Sequence, residues 1–235
     1  MPSSSASRID PANPVGTTEN HACARFLAAA IPLVIARRAV DSVTQSPKQM
    51  KGIVFTKFLE MVEDTWSSDF ADQLVESVDL PSGGSYTAVG TYDHREMVAL
   101  VTRLSEMSGT PVPDLLKAYG RYLFGQFAIL YPGFFEGMGS SLDFVASIES
   151  VIHVEVRKLY PDAELPRFDV LEQTPDLLVI RYQSDRHLGD LAEGLLESCI
   201  VHFQETGQVE LQREDAADGS GAITFTLRRT VGDAR

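Results

Sequence analysis

The sequence predicts an α+β fold in which a helical first part is followed by further helices and a small antiparallel sheet. Apolar residues recur every three or four positions through the first part, whereas short runs rich in β-branched and aromatic residues cluster after residue 167. Strand and helix patterns do not alternate as βαβ units, which argues against a parallel sheet. With 235 residues, 44% of them hydrophobic, the chain can bury a sizeable core.

Helices in the first part are separated by recognisable turn residues. The segment PSGGS at residues 81–85 is typical of a flexible turn, and the sequence Tyr131-Pro132-Gly133 breaks the helical pattern further on. The predicted helices of this part cover residues 53–62, 69–78, 94–107 and 113–130.

A fifth helix is predicted between a serine N-cap and a proline stop. Ser140 or Ser141 is a good N-cap residue, and Pro161 ends the pattern. The apolar stripe of this helix consists of Leu142, Val145, Ile148, Ile152, Val156 and Leu159. His153 shares one line of the helix with Glu149, at the margin of that stripe. A histidine there is either a hydrogen-bonded core residue or a ligand that reaches into a cavity, and neutral imidazole is a common metal ligand.

The remaining elements are mostly strands. Strands are predicted at residues 168–171, 177–183, 209–213 and 223–228, with a helix at 188–206 between the second and the third. The sequence DAADGSG, which joins the last two strands, is typical of a hairpin connection. The sheet is therefore expected to be antiparallel.

Three polar residues follow the apolar run of the second strand. If the chain stays extended, Tyr182, Ser184 and Arg186 share one face, because alternate side chains of a strand point the same way. Together they offer a phenol, a hydroxyl and a guanidinium fork to one anionic group, and the guanidinium can bind a carboxylate through two parallel hydrogen bonds. The alternative is a strand end that leaves the core and places all three in solvent.

Composition excludes several classes of function. The net charge of −13 disfavours nucleic-acid binding. Cys23 and Cys199 are the two cysteines of the chain, so neither a disulfide framework nor a thiolate metal cage is expected. His153 has no Gly-x-Ser-x-Gly segment or comparable context near it, which disfavours a hydrolase.

Residues 1–49 differ in composition from the rest. The apolar run at residues 26–36 is interrupted by Pro32, is too short to cross a bilayer, and is poorly placed for a secretory signal. We therefore expect no membrane association and a cytoplasmic protein. The expected organisation is an N-terminal extension at 1–49, either a loose tail with one short helix or a product of translation upstream of Met50, a domain at 50–230, and a tail at 231–235.

Several segments between residues 50 and 229 resemble one family. They are MKGIVFTKFLEMVED, LLKAYGRYLFGQF, YPGFF, IHVEVRKLYPDAELPRF, YQSDR and EGLLES. Together they are similar to the haem-nitric oxide/oxygen binding (H-NOX) domains, which also form the haem module of soluble guanylate cyclase. The resemblance implies an H-NOX fold, with helices and a small antiparallel sheet enclosing a pocket for haem b, ferrous protoporphyrin IX.

The resemblance also implies the role of individual residues. His153 matches the proximal iron ligand and is the expected metal-binding residue. Tyr182, Ser184 and Arg186 match the motif that binds the haem propionates, and Pro166 matches the proline that presses on the porphyrin and distorts it.

The distal side of the implied pocket is apolar. Oxygen-binding members of the family carry a tyrosine at the position that Leu191 matches, nine residues after Tyr182. The other pocket-lining positions are Val54, Phe58, Leu123, Phe127 and Leu195. Bound O2 gains from a nearby hydrogen-bond donor, whereas NO and CO bind ferrous haem well without one. These residues would also be ordinary helix core, whether or not a gas binds.

The resemblance thus implies a stand-alone sensor of nitric oxide, which also binds CO and is not an enzyme. Its implied output is a shift of the His153 helix when NO weakens the bond between iron and histidine. Its implied partner in trans is a histidine kinase or a diguanylate cyclase. Two alternatives stay open: a haem protein that binds O2 or CO or senses redox state, and a haem-free interaction module of the same fold.

Overall fold

The computed structural model describes residues 48–230. The predictions for residues 1–47 and for the tail at 231–235 lie outside the described residues. Within the described range the helices are α1 (Gly52–Thr65), α2 (Ser68–Glu76), α3 (His94–Ser108), α4 (Val112–Leu130), α5 (Ser141–Ser147), α6 (His153–Leu159) and α7 (Gly189–His202). The strands are β1 (Gln49–Lys51), β2 (Thr91–Asp93), β3 (Arg167–Thr174), β4 (Leu177–Gln183), β5 (Val209–Asp215) and β6 (Ile223–Arg229).

The α+β class is confirmed, and the sheet is antiparallel. Strands β3, β4, β6 and β5 lie in that order and pair antiparallel throughout, with a bulge in β3 between Val170 and Glu172. A second, two-stranded sheet of β1 and β2 has no counterpart in the sequence prediction. Each of its strands is three residues long, which is too short for an alternating pattern to be visible.

The predicted fifth helix has a different course from the one expected. Ser140 is its N-cap, as predicted, and its side chain accepts a hydrogen bond from the Asp143 amide. A short π-helical turn, Ile148–Ile152, then separates α5 from α6. The helix ends at Leu159, which was predicted on the buried stripe but is 63% exposed. The extra residue in each π-helical hydrogen-bonded ring shifts the face that later side chains present.

The last helix ends at His202, four residues before the predicted end. Gln204 has a φ of 59°, a left-handed conformation that an α-helix cannot continue through. Glu205 then turns inward, and its carboxylate accepts hydrogen bonds from the amide (3.0 Å) and the hydroxyl of Ser141. The helix is therefore ended locally, because the amides of Gln204 and Glu205 donate to the carbonyls of Val201 and Ile200, both at 3.0 Å. The Glu205 side chain in addition satisfies an amide at the start of α5.

Two hydrophobic clusters organise the described chain. The helical cluster comprises mainly buried residues of α1 to α4, including Phe55, Phe58, Leu74, Leu100, Leu104, Tyr119 and Leu123, together with Leu188 and Leu191. The sheet cluster comprises Phe124, Leu142, Val145, Leu178, Ile180, Tyr182, Leu196, Phe225, Leu227 and their neighbours. Leu195 of α7 packs against both clusters, so α7 lies where they meet.

Two glycines allow α4 and α7 to approach closely. A Cβ atom on Gly120 would lie 2.3 Å from the carbonyl oxygen of Leu191, and one on Gly194 would lie 2.1 Å from the carbonyl oxygen of Lys117. Any side chain at either position would therefore push the helices apart. This packing sets the position of Leu191 and Leu195 against α4.

Among residues 48–230, none of the helices combines the length and apolarity that crossing a bilayer requires.

Candidate functional site

His153 is the first residue of α6, directly after the π-helical turn. Its amide donates to the carbonyl of Ile148, five residues earlier. Its side chain is buried, with 8% of the residue exposed. The sequence placed His153 at the margin of an apolar stripe, and in the structure it lies inside the protein.

One nitrogen of the His153 ring is held by a carboxylate. Nδ1 lies 3.0 Å from Oε2 of Glu149. An ionised carboxylate can only accept, so Nδ1 carries the proton and Nε2 is left with a lone pair. Burial lowers the pKa of His153, although Glu149 acts in the opposite direction. A neutral imidazole that donates one N–H to a carboxylate and offers the other nitrogen is the usual arrangement of a metal-binding histidine.

Glu149 also binds two groups besides His153. Its Oε1 accepts from Nη2 of Arg157 at 3.1 Å, and its Oε2 accepts from the backbone amide of Phe168 at 3.3 Å. Burial acts to raise the pKa of Glu149, but the hydrogen bonds from His153 and Arg157 outweigh it, so this pKa is lower than usual. The carboxylate is therefore ionised. No role for Glu149 was predicted from the sequence, although its i, i+4 spacing from His153 is the signal of a contact along a helix.

Aromatic contacts connect His153 to the polar triplet. The ring centroid of Phe168 lies 5.8 Å from that of His153 and 5.3 Å from that of Tyr182, both in edge-to-face geometry. Tyr182 is 4% exposed, and burial raises the pKa of its phenol, although a hydrogen bond with Ser184 acts against this. The structure therefore brings His153 and Tyr182 to the same region through Phe168.

The prediction that the triplet shares one face of a strand is wrong. Strand β4 ends at Gln183, and the chain turns from Ser184 to His187, whose amide donates to the Ser184 carbonyl at 3.3 Å. The Arg186 amide donates to the Ser184 hydroxyl at 3.3 Å, and His187 has a φ of 54°. A serine hydroxyl that binds the amide two residues on favours a turn over an extended strand.

Arg186 nevertheless lies inside the protein, with 9% of its side chain exposed. Its Nη2 donates to the backbone carbonyls of Gln49, at 2.6 Å, and Glu164. Its Nε is buried and has no hydrogen-bond partner among the described residues. Leaving such a group unpaired costs about 1–3 kcal/mol, and more for a charged group. The guanidinium is therefore suited to an anionic acceptor such as a carboxylate.

The segments around Arg186 dock on strand β1. Lys48 pairs with Asp185 at 2.9 Å, and the Gln49 amide donates to the Glu164 carboxylate at 3.0 Å. Contacts of the domain therefore begin at least two residues before Met50, the expected boundary. Pro166 follows Glu164 in the loop that leads into β3 and is half-buried.

The residues expected on the distal side lie in or against one cluster. Phe58, Leu123 and Leu191 are buried members of the helical cluster. The other three are partly buried residues packed against it: Val54, Phe127 and Leu195. The structure thus brings all six together on the side of the protein formed by α1, α4 and α7.

A tyrosine hydroxyl inside this cluster escaped the sequence analysis. Tyr119 is fully buried, and its ring lies 5.3 Å from that of Phe58, edge to face. Its hydroxyl donates to the backbone carbonyl of Val54. Burial raises the pKa of Tyr119 well above its usual value, so it stays protonated. Its partner lies 65 residues away in the sequence, so no local pattern indicated this hydrogen bond.

The donor set fits a haem group. One buried neutral imidazole offers Nε2 to a metal, and a buried guanidinium has an N–H available for an anionic substituent. Haem requires both an axial ligand and partners for its propionates. The apolar cluster around Leu191 supplies side chains suited to the face of a tetrapyrrole.

Comparison with known proteins identifies a family. A family model described as Haem-NO-binding matches residues 51–211. The Fe(II) unliganded H-NOX protein from K. algicida is 35% identical, with a TM-score of 0.73 over 79% of this chain and 100% of that one. The H-NOX protein from Shewanella woodyi, solved in the Fe(II)CO state, is 38% identical, with a TM-score of 0.68 over 79% of this chain and 97% of that one.

Two more distant relatives extend the comparison. The H-NOX protein from S. oneidensis, solved in the Fe(II)NO state, is 26% identical, with a TM-score of 0.69 over 77% of this chain and 100% of that one. Soluble guanylate cyclase gcy-33 from Caenorhabditis elegans is 26% identical over 184 residues, which are 76% of this chain but 19% of that protein. This chain belongs to the haem-NO-binding (H-NOX) family of haem-binding gas-sensor domains.

Proposed function

We propose that this protein senses nitric oxide at a ferrous haem b, also binds CO, and signals in trans to a partner protein. The observation that carries the proposal is the presence in one domain of a buried His153, with Nδ1 held by Glu149, and a buried Arg186 Nε that has no hydrogen-bond partner among residues 48–230. Two related structures support the choice of ligands, because they were solved in the Fe(II)NO and Fe(II)CO states.

The proposal assigns each side of the pocket its own residues. Haem, when bound, supplies a ferrous iron that can take a diatomic gas. His153 Nε2 would be the proximal ligand, and Tyr182, Ser184 and Arg186 would hold the propionates. Pro166, the residue before β3, would press on the porphyrin and distort it.

The distal residues determine which gas is favoured. Leu191 offers no hydrogen-bond donor, and neither do the side chains packed beside it: Val54, Phe58, Leu123, Phe127 and Leu195. The nearby Tyr119 hydroxyl is already engaged by the Val54 carbonyl. A pocket without a free donor stabilises bound O2 poorly but does not penalise NO or CO. The proposed selectivity for NO therefore rests on an absent donor.

The chain around His153 offers a route for the signal. Glu149 ties the π-helical turn to the start of β3 through the Phe168 amide, and Glu205 ties the start of α5 to the end of α7. A change in the force on His153 would thus act on α5, α6 and the sheet together. The proposed reader is a histidine kinase or diguanylate cyclase, and the sensor itself is proposed to be cytoplasmic and not catalytic. The difference in partner affinity between the two states limits the size of the response.

Absorption spectra test the proposal directly. The reduced protein should show a Soret band that shifts with NO and with CO, and should form no stable oxy complex in air. A stable oxy complex would contradict the assigned role of Leu191. Protein that stays colourless after haem-supplemented expression would instead support a haem-free interaction module.

Replacing the ligand tests the metal-binding residue. His153→Gly should lose haem, and added imidazole should restore it by occupying the space of the missing side chain. His202→Gly is a matched control, because His202 is an exposed histidine that packs among Phe124, Phe135 and Phe203. Unchanged haem content in His153→Gly would remove His153 from the ligand role.

A further inference from the structure

Glu149 is the centre of a polar network on the proximal side. It receives three hydrogen bonds, from the His153 ring, the Arg157 guanidinium and the Phe168 amide, at 3.0, 3.1 and 3.3 Å. These donors come from two elements, because His153 and Arg157 lie on α6 and Phe168 lies on β3. The carboxylate is therefore held in place from several directions, with Oε2 on the imidazole and Oε1 on the guanidinium.

The carboxylate acts on the far side of the imidazole ring. A negative charge that accepts from Nδ1–H pushes electron density into the ring and makes Nε2 a stronger donor. The same contact restrains rotation of the ring, since Nδ1 must keep facing Glu149. The edge-to-face contact with Phe168 restrains the ring from another direction.

Arg157 opposes this effect through the same carboxylate. Its guanidinium lies on the other oxygen of Glu149, so it draws negative charge away from the oxygen that faces His153. Arg157 is four residues after His153, and its side chain is 44% exposed. Removing its charge should therefore alter the electrostatics of Glu149 without opening the protein interior.

We propose that Glu149 is a positioning residue that sets how strongly His153 binds iron, and that Arg157 limits how much of its charge reaches the imidazole. This inference rests on the proposed function, in which His153 is the proximal ligand. It makes a specific prediction about sign: neutralising Glu149 should weaken the iron–histidine bond, whereas neutralising Arg157 should strengthen it. Because NO competes with this bond, the two variants should also differ in how readily NO displaces His153.

Resonance Raman spectra of the reduced holoprotein measure the bond directly. Glu149→Gln keeps an oxygen acceptor but removes the charge, and it should lower the iron–histidine stretching frequency. Its affinity for haem should fall about 10-fold or more, the size of effect seen when a partner of a metal ligand is changed. Arg157→Gln should raise the same frequency. With NO, a larger share of the Glu149→Gln protein than of the wild type should lose the histidine bond, as read from the absorption maximum.

Glu155→Gln provides the matched control. Glu155 lies on α6 two residues after His153, and its carboxylate pairs with Lys158. The substitution removes the same charge at a similar distance along the chain without a contact to the ring. It should leave the stretching frequency unchanged, which separates the contact with Glu149 from a general change in charge.

The outcomes distinguish this inference from the proposed function. If Glu149→Gln and Glu155→Gln share the wild-type frequency while His153→Gly still loses haem, the role of Glu149 is overturned and the ligand assignment stands. If His153→Gly retains haem, the ligand assignment itself fails. Should Glu149→Gln not fold, Arg157→Gln decides alone, and an unchanged or lower frequency in that variant overturns the inference.

Discussion

The proximal and distal sides of the candidate haem site differ in how their side chains are satisfied. Around His153 and Arg186 the important atoms are polar, and nearly all of them have a named partner within hydrogen-bond distance. Around Leu191 the side chains are apolar and contribute mainly by packing. The comparison shows that a proximal substitution tests local chemistry, whereas a distal substitution first tests the stability of the core.

The largest expected effect is on the distal side, where removing a core side chain should affect the fold itself. Phe58 is fully buried, so Phe58→Ala should lower the free energy of unfolding by about 3–5 kcal/mol. Denaturant unfolding of the haem-free protein measures this loss. Phe127→Ala is the control. Because Phe127 is only half-buried, this substitution should lower the free energy of unfolding by less than Phe58→Ala does. Equal losses for the two variants would contradict the burial difference on which the comparison depends.

The next largest effect is expected on the proximal side, where a substitution should lower the affinity of the protein for haem. Arg186→Ala should weaken haem binding by about 2–3 kcal/mol, because one charge-assisted pair with a propionate is lost. Haem transfer to an acceptor protein measures the change. Arg181→Ala removes an exposed arginine of the same strand region and should retain haem like the wild type. If both variants lose haem equally, Arg186 has no specific role.

A third prediction concerns acid stability at the base of the helix that leads to His153. Burial acts to raise the pKa of Glu205, but hydrogen bonds from Ser141 and Arg229 lower it below the usual 4.5. A carboxyl with a lowered folded pKa stabilises the protein above its unfolded pKa, and this contribution is lost as pH falls through the folded value. Glu205→Gln should therefore cost about 2 kcal/mol at neutral pH.

The pH dependence gives this prediction a second measurement. Urea unfolding can be followed from neutral pH to below the folded pKa of Glu205. The difference in free energy of unfolding between wild type and Glu205→Gln should become smaller as the pH falls. Glu210→Gln, at an exposed position of β5, should show little difference at any pH. If the difference in free energy of unfolding between wild type and Glu205→Gln stays constant with pH, ionisation of Glu205 is not the source of the stability.

The smallest expected effect comes from the buried Tyr119 hydroxyl in the helical cluster. Tyr119→Phe removes the hydrogen bond to the Val54 carbonyl and should lower the free energy of unfolding by about 1 kcal/mol. The behaviour of the reduced protein in air should not change, since the hydroxyl is engaged by the backbone and not by the gas. A marked change in NO or O2 binding would instead place Tyr119 among the residues that contact the ligand.

Much of the fold could be predicted because it depends on local patterns. The apolar spacing of α1 to α4 and the turn residues between them located these helices to within a few residues. The same pattern placed His153 on a helix at the margin of buried residues. Tyr182 was correctly assigned to a strand, because it directly follows the apolar run at residues 177–180, and such a short run is typical of a buried strand.

The parts that could not be predicted depend on residues far apart in the chain. Arg186 was expected on an extended strand, yet a turn brings it to the carbonyl of Gln49, 137 residues away. The Glu205 carboxylate, just beyond the end of α7, binds Ser141, 64 residues earlier. Such hydrogen bonds depend on how helices and strands pack against each other. A pattern of neighbouring residues does not show which distant group a side chain will contact.

The sequence by itself therefore determined most of the helices, the longer strands, the class of the fold, and the residue types available for chemistry, because periodicity and residue chemistry are local properties. Only the tertiary structure decided that Glu149 holds the His153 ring, that Tyr119 is engaged by a backbone carbonyl, and that a buried N–H of Arg186 has no acceptor in the described part of the chain. The physical reason is that hydrogen bonding and burial depend on the final positions of atoms, which are set by the packing of the whole domain.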